Sequence, residues 1–273
     1  MKKENFTTRT IAFIRHVMGL QPTLYAANAC YFLILAVFPG LLLVLASLRF
    51  TALSASDLIY LLEMVVPSAL MGFVERLVVN TYYNSSGALV SASALIALWS
   101  ASRGIYALLT GLNAIYGIQE DRGYLYTRLI SVVYLFLFLI ALVLSLVLHV
   151  FGQNVSAFLE SMPFRLADVL GEVVDLHFTV LVVVQSLIFT VMYMVLPNRR
   201  NRFWDSVPGA VAAALGWQVF SYLFSIYVDH FPSYANIYGS IYAVALGMLW
   251  LYCCMVILLL GGALNRFLVL ARD

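Results

Sequence analysis

The sequence predicts an all-α integral membrane protein, a bundle of about six transmembrane helices with an N-terminal interfacial helix and amphipathic helices in the outer loops. Three observations predict it: composition, the lengths of the apolar blocks, and the placement of Lys and Arg. Of 273 residues, 63% are hydrophobic and 10% charged, whereas soluble domains run nearer a quarter charged. Such a chain has too little polar surface to face water all round. Its apolar residues also come in long blocks separated by short polar stretches, the pattern of spans and loops, so residues 1–273 are read as a single polytopic membrane domain.

The first element is short. Lys2, Lys3, Arg9 and Arg15 accompany Phe6, Ile11, Ile14, Val17 and Met18, which fall mostly on one helical face. This predicts a helix lying in the membrane interface. A cleaved signal peptide fits less well, because Arg15 and His16 interrupt the apolar stretch. Six runs follow, each with the roughly 20 residues needed to cross a hydrocarbon core: 24–48, 88–112, 129–151, 176–196, 207–228 and 240–264. Between the first two, residues 55–80 mix Asp57, Glu63, Glu75 and Arg76 with apolar residues around Pro67. That segment reads as surface helices, not a span.

Lys2, Lys3, Arg9, Arg15, Arg122, Arg128, Arg199, Arg200, Arg202, Arg266 and Arg272 would share one side of the membrane, and Arg49, Arg76 and Arg165 the other. The positive-inside rule makes the first side cytoplasmic, with both termini there. A formal net charge of +2 spread over short loops excludes a nucleic-acid-binding face. Cys30, Cys253 and Cys254 sit in apolar runs and read as small buried hydrophobes.

Small residues allow close helix approach in lipid. Ser100, Gly104, Ala107 and Gly111 have that spacing in the second span, Gly209 and Ala213 in the fifth, and Gly239, Ala243 and Gly247 at the start of the sixth. Arg103 stands apart, since a guanidinium within a span costs at least a few kcal/mol unless it faces the bundle interior or a wet cavity. No Asp or Glu lies in any of the six runs. Its partner is therefore sought among Asn28, Asn113, Gln185, Gln218, Asn265, Glu120, Asp121, a carbonyl, water or an anionic ligand. Snorkelling toward the cytoplasmic end is the structural alternative.

His16, His149, His177 and His230 are far apart and stand in no metal-ligand spacing. There is no P-loop, no G-x-S-x-G and no cluster of carboxylates, so no cofactor, metal or catalytic residue is assigned and an enzyme is not expected. Tyr234, Tyr238 and Tyr242 recur every four residues after Pro232, as an interfacial aromatic belt does.

Several segments resemble a known family. Ala26-Ala27-Asn28-Ala29-Cys30-Tyr31-Phe32 leading to Phe38-Pro39, Leu98-Trp99-Ser100-Ala101-Ser102-Arg103-Gly104, and Leu112-Asn113-Ala114-Ile115-Tyr116-Gly117 are similar to the first signatures of the YihY/virulence factor BrkB family. Later come Leu196-Pro197-Asn198-Arg199, Pro208-Gly209-Ala210, Tyr238-Gly239-Ser240, Leu249-Trp250-Leu251-Tyr252 and Leu260-Gly261-Gly262-Ala263-Leu264-Asn265. The resemblance spans nearly the whole chain and implies a six-helix protein of the bacterial cytoplasmic membrane with a part in the cell envelope, serum resistance or lipid export. The family's former ribonuclease BN label is not adopted, because this chain lacks the His/Asp cluster of a metal-dependent nuclease. The chain departs from the family pattern at Ala263, where the family carries Glu, which removes a carboxylate that proton coupling could use.

The leading expectation is a transporter or flippase-like handler of an anionic lipid or envelope precursor, with membrane lipids as partners. Arg103 would hold the phosphate and Asn113 would add a polar contact. Arg128 and Arg199 would draw the headgroup in from the cytoplasmic side, and Asn28 and Asn265 complete the candidate substrate-binding set. The alternative is a non-transporting membrane scaffold or envelope assembly factor, whose small-residue faces would also serve self-association. A polar cavity reaching Arg103 would favour transport, and Arg103 capped by protein groups would favour the scaffold.

Overall fold

The structure, a computed structural model, describes residues 11, 13, 15, 17–48, 56–57, 59–60, 71–72, 75–76, 78–80, 86–136, 176–199, 201–230 and 240–272. Within them helices fall on the predicted runs, α1 (Pro22–Leu48), α2 (Gly87–Tyr116), α3 (Tyr124–Phe136), α4 (Leu176–Val195), α5 (Phe203–His230) and α6 (Ser240–Arg272), with 137–151 of the third run, 129–151, outside the described residues. Stretches Val90–Tyr116, Phe203–Val228 and Val244–Arg272 are each long and apolar enough to cross a membrane. At about 1.5 Å per residue, the 33 residues of α6 reach well beyond a ~30 Å hydrocarbon core.

Several boundaries move outward from the sequence expectation. Helix α5 begins at Phe203 with Asp205 in its first turn, and α6 continues to Arg272. The expectation ended each span where apolar residues ended. A helix, however, keeps its backbone bonds after leaving lipid, and an acid in the first turn or a base in the last is favourable for the helix dipole.

Each helix end has a local cause. Pro22 opens α1 at the first helical position, where its missing N–H costs no bond. Helix α2 closes with Gly117 at φ +67°; the Gly117 N–H donates to the Ala114 carbonyl at 3.1 Å and the Ile118 N–H to the Asn113 carbonyl at 2.9 Å. This paired closure requires a left-handed residue, and glycine adopts it at least cost.

Helix α6 is the hub, packed against α1, α2 and α5, while α1 pairs with α2 and α4 with α5. Helices α1 and α2 run antiparallel, as do α4 with α5 and α5 with α6. Gly111 of α2 faces Tyr25 of α1, whereas Gly104 faces Leu33 and the Ala29 carbonyl. Gln218 of α5 donates to Gln185 of α4 at 2.8 Å, and Trp250 of α6 to Ser221 of α5 at 3.1 Å. The interior is filled by Ile105, Leu108, Leu109, Leu112, Tyr193, Met255, Leu258 and Leu259, all fully buried. Leu95, Tyr222 and Leu223 stay exposed, as lipid-facing positions do.

The small-residue faces of α2 and α5 meet partners as expected. A Cβ at Gly209 would strike the Gly261 carbonyl oxygen, and one at Gly261 would lie 2.6 Å from the Gly209 carbonyl oxygen. The expected face on α6 is corrected: nothing lies within 4 Å of a Cβ at Gly247, and the contact comes from Gly261 and Gly262 instead. Gly239 lies outside the described residues. Before α1, the Phe13 ring packs tilted against Phe267 of α6 with centroids 5.0 Å apart, and Val17 is buried while Ile11 and Met18 are exposed. Parts of the 55–80 segment, including Pro67, and all of 153–175, together with Tyr234 and Tyr238, also fall outside the described residues. Cys30 and Cys254 are buried and all three cysteines are free thiols.

Candidate functional site

Arg103 and Arg128 converge on one side chain, the indole of Trp99. Arg103 lies one turn after Trp99 on α2, and helical side chains lean back toward the N-terminus. Its guanidinium carbon accordingly sits 5.4 Å from the Trp99 ring centroid and 5.1 Å from that of Phe32 on α1. Phe32 and Trp99 are themselves edge to face, with centroids 6.1 Å apart. A cation over each ring face is worth about 0.5–2 kcal/mol. Among the described residues no carboxylate pairs with Arg103, so aromatic faces do the work an acid would otherwise do.

Arg128 reaches the same place from α3. Its Nη2 donates to the Trp99 carbonyl at 2.7 Å, and its guanidinium carbon lies 5.6 Å from the indole centroid. Two like charges therefore share one ring. Trp99 is 52% exposed and forms one wall of a shallow groove of about 470 Å³, lined also by Leu95, Ile96, Leu98, Val132 and Arg128. Arg103 does not line this groove.

At the end of the bundle where α2 stops, a polar knot joins three segments. Asn113 donates to Glu120 Oε2 at 2.7 Å and accepts the Asn198 N–H at 2.8 Å. Arg122 grips both oxygens of Glu120, Nε to Oε1 and Nη2 to Oε2, each at 2.6 Å. The last carbonyls of α4 need donors from outside the helix. Arg122 donates to the Leu196 carbonyl at 3.3 Å, and the Tyr134 hydroxyl to the Val195 carbonyl at 2.9 Å. Charge-assisted bonds from Arg122 hold the Glu120 carboxyl below the usual carboxylate range, and Glu120 in turn raises Arg122.

A second knot joins α5 to α6. Asn265 is buried; its Oδ1 accepts the Gly209 N–H at 2.6 Å and its Nδ2 donates to the Ser206 carbonyl at 2.9 Å. Beside it opens a cavity of about 380 Å³, lined by Arg199, Arg202, Arg266 and Arg272 with Asp205 as its acid. Asp205 accepts from Arg272 at 3.2 Å. A neighbouring cavity of about 480 Å³ shares Arg199 and adds Arg122, Tyr126 and Tyr134.

The family model for virulence factor BrkB matches residues 13–273. The chain belongs to the virulence factor BrkB family. Among its relatives, the ribonuclease-like protein YfkH of Bacillus subtilis is 31% identical over 89% of this chain and 88% of its own length. A UPF0761 membrane protein of Photobacterium profundum is 24% identical over 95% of this chain and 82% of its own. Another from Alteromonas mediterranea is 31% identical over 55% and 49%. No solved structure matches. The chain is thus a membrane protein of the BrkB family, all-helical as the sequence predicts.

The structure distributes the sequence-predicted residues of this BrkB-family chain over several places. Arg103 and Arg128 share Trp99, Arg199 faces the cavities at the end of the bundle, and Asn113 and Asn265 have both ends of their amides bonded to protein groups. Asn28 is exposed on α1 and joins none of them. Sequence reasoning missed Phe32 and Trp99 as partners of Arg103, although Trp99 stands one helical turn before it. It used Arg202, Arg266 and Arg272 for topology alone, while Arg266 and Arg272 share a helix face and Arg202 stands at the start of α5. Ala263, where the resemblance led to a carboxylate being sought, is buried.

Proposed function

We propose that this protein is a non-enzymatic handler of an anionic amphiphile in a bacterial cytoplasmic membrane. The headgroup phosphate of a phospholipid or lipid-linked envelope precursor rests against Arg128 at the groove, Arg103 adds charge across the Trp99 ring, and the acyl chain lies along Leu95, Ile96 and Val132. One observation carries the reading: two guanidiniums without an acidic partner among the described residues meet on one exposed indole beside an apolar groove. A guanidinium in lipid is costly, and a phosphate offers it a charge-assisted, two-pronged acceptor.

Arg199, at the cytoplasmic end in this reading, draws headgroups toward the bundle. No cofactor is needed. The scaffold reading draws on Phe32 and Trp99, which already cover Arg103. Translocation of labelled lipids in proteoliposomes separates the two. Anionic lipids should move faster than zwitterionic ones, and Arg128→Gln should slow the anionic ones alone. Rates equal to those of empty liposomes for every headgroup would leave the scaffold.

A further inference from the structure

The cavity between α5 and α6 makes a demand that the groove at Trp99 does not. Four arginines from two segments converge on it: Arg199 and Arg202 from the connection between α4 and α5, and Arg266 and Arg272 from α6. Asp205 neutralises Arg272 alone. Among the described residues, Arg199, Arg202 and Arg266 have no hydrogen-bond or ion-pair partner on their guanidinium groups. Spacing places Arg266, Val269 and Arg272 on one face of α6, and the cavity floor is fixed by buried Asn265 and Ser206. Surface arginines that merely face water do not need to enclose a common volume. These do, and the lining carries three positive charges beyond its acid.

We propose that this cavity is a binding site for a phosphate dianion or diphosphate, separate from the groove at Trp99. A planar guanidinium binds phosphate oxygens in pairs, and three unpaired ones can surround a group bearing two or more negative charges where a single carboxylate would leave charge uncompensated. The polar lining excludes an acyl chain, so only the phosphate portion enters, whether from a soluble compound or from a lipid headgroup at the membrane edge. The site does not depend on the groove binding anything.

The test uses the purified full-length protein, with melting temperature and calorimetric titration read against inorganic pyrophosphate, inorganic phosphate and sodium chloride at matched ionic strength. Pyrophosphate should raise the melting temperature most, because binding to the folded form alone stabilises it. Replacing one guanidinium, in Arg202→Gln or Arg266→Gln, should weaken pyrophosphate about tenfold, the effect of losing one charge-assisted bond. Asp205→Asn keeps the cavity and frees Arg272, so it should bind pyrophosphate more tightly than the wild type, an outcome that misfolding cannot imitate. Repeating the titration in nanodiscs of phosphatidic acid and of phosphatidylcholine identifies the source. Competition by phosphatidic acid assigns a lipid phosphomonoester, and unchanged binding assigns a soluble phosphate. Pyrophosphate affinity equal in wild type, Arg266→Gln and Asp205→Asn would overturn the proposal, as would a response no larger than that to chloride.

Discussion

A guanidinium held by two aromatic faces responds to substitution differently from one held by a carboxylate. Removing one partner of a buried ion pair strands a charge at about 3–5 kcal/mol, whereas removing the Arg103 charge leaves only the faces of Phe32 and Trp99, each worth about 0.5–2 kcal/mol. Arg103→Gln should therefore fold with a modestly lower melting temperature, and Arg103→Lys should lie nearer the wild type. If the groove takes an anionic headgroup, the rise in melting temperature with anionic lipid should shrink in Arg103→Gln and persist in part in Arg103→Lys. An identical rise in wild type and Arg103→Gln would remove Arg103 from the headgroup site. Glu120 gives a pH signature. Its carboxyl is held below its ordinary value of 4.5 by Arg122, so the stability it contributes is present above that value and is lost as pH falls through the depressed folded-state value. Acid melting curves should show this loss in the wild type, and Glu120→Gln should flatten it. Arg103 itself was legible, because a lone charge in an uncharged run is conspicuous. Its partners were not, because a search for polar partners passes over rings.

At the scale of elements, the segments that carry the family resemblance turn out to meet in pairs. The segment around Asn28 to Phe32 packs on the one around Trp99 to Gly104 through Phe32 with Arg103 and through Ala29 with Gly104. Leu112-Asn113 bonds to Asn198, and Pro208-Gly209 to Asn265. Helix positions were readable from apolar block length, but which blocks touch depends on long-range contacts that no single block encodes. That difference explains the glycines. Gly209 and Gly261 bring two backbones together, so Gly209→Ala should force α5 and α6 apart and cost about 3 kcal/mol or more, at the upper end of overpacking penalties. Gly247 meets open space, and Gly247→Leu should match the wild type in folded yield from detergent. Both substitutions raise helix propensity, so equal losses at the two positions would show that crossing geometry does not decide the effect.

Across the whole molecule, antiparallel packing constrains topology more tightly than charge counting. Because Tyr25 lies beside Gly111 while Leu33 lies beside Gly104, the end of α1 and the start of α2 point the same way. Leu48 and Gly87 therefore lie at the same end of the bundle. Phe13 against Phe267 puts Phe13 beside the end of α6. Arg122, Arg199, Arg202, Arg266 and Arg272 gather at that same end through the knots and cavities described above. The positive-inside rule predicts that such an end faces the cytoplasm. Single cysteines test this with a membrane-impermeant thiol reagent on intact cells: Glu75→Cys should label from outside, and Asp121→Cys only after the membrane is permeabilised. The native Cys30, Cys253 and Cys254 lie within helices α1 and α6, at buried or half-buried positions, and the unsubstituted protein supplies their background. Labelling of Asp121→Cys in intact cells with protection of Glu75→Cys would invert the orientation, and with it the side from which Arg199 meets its anion.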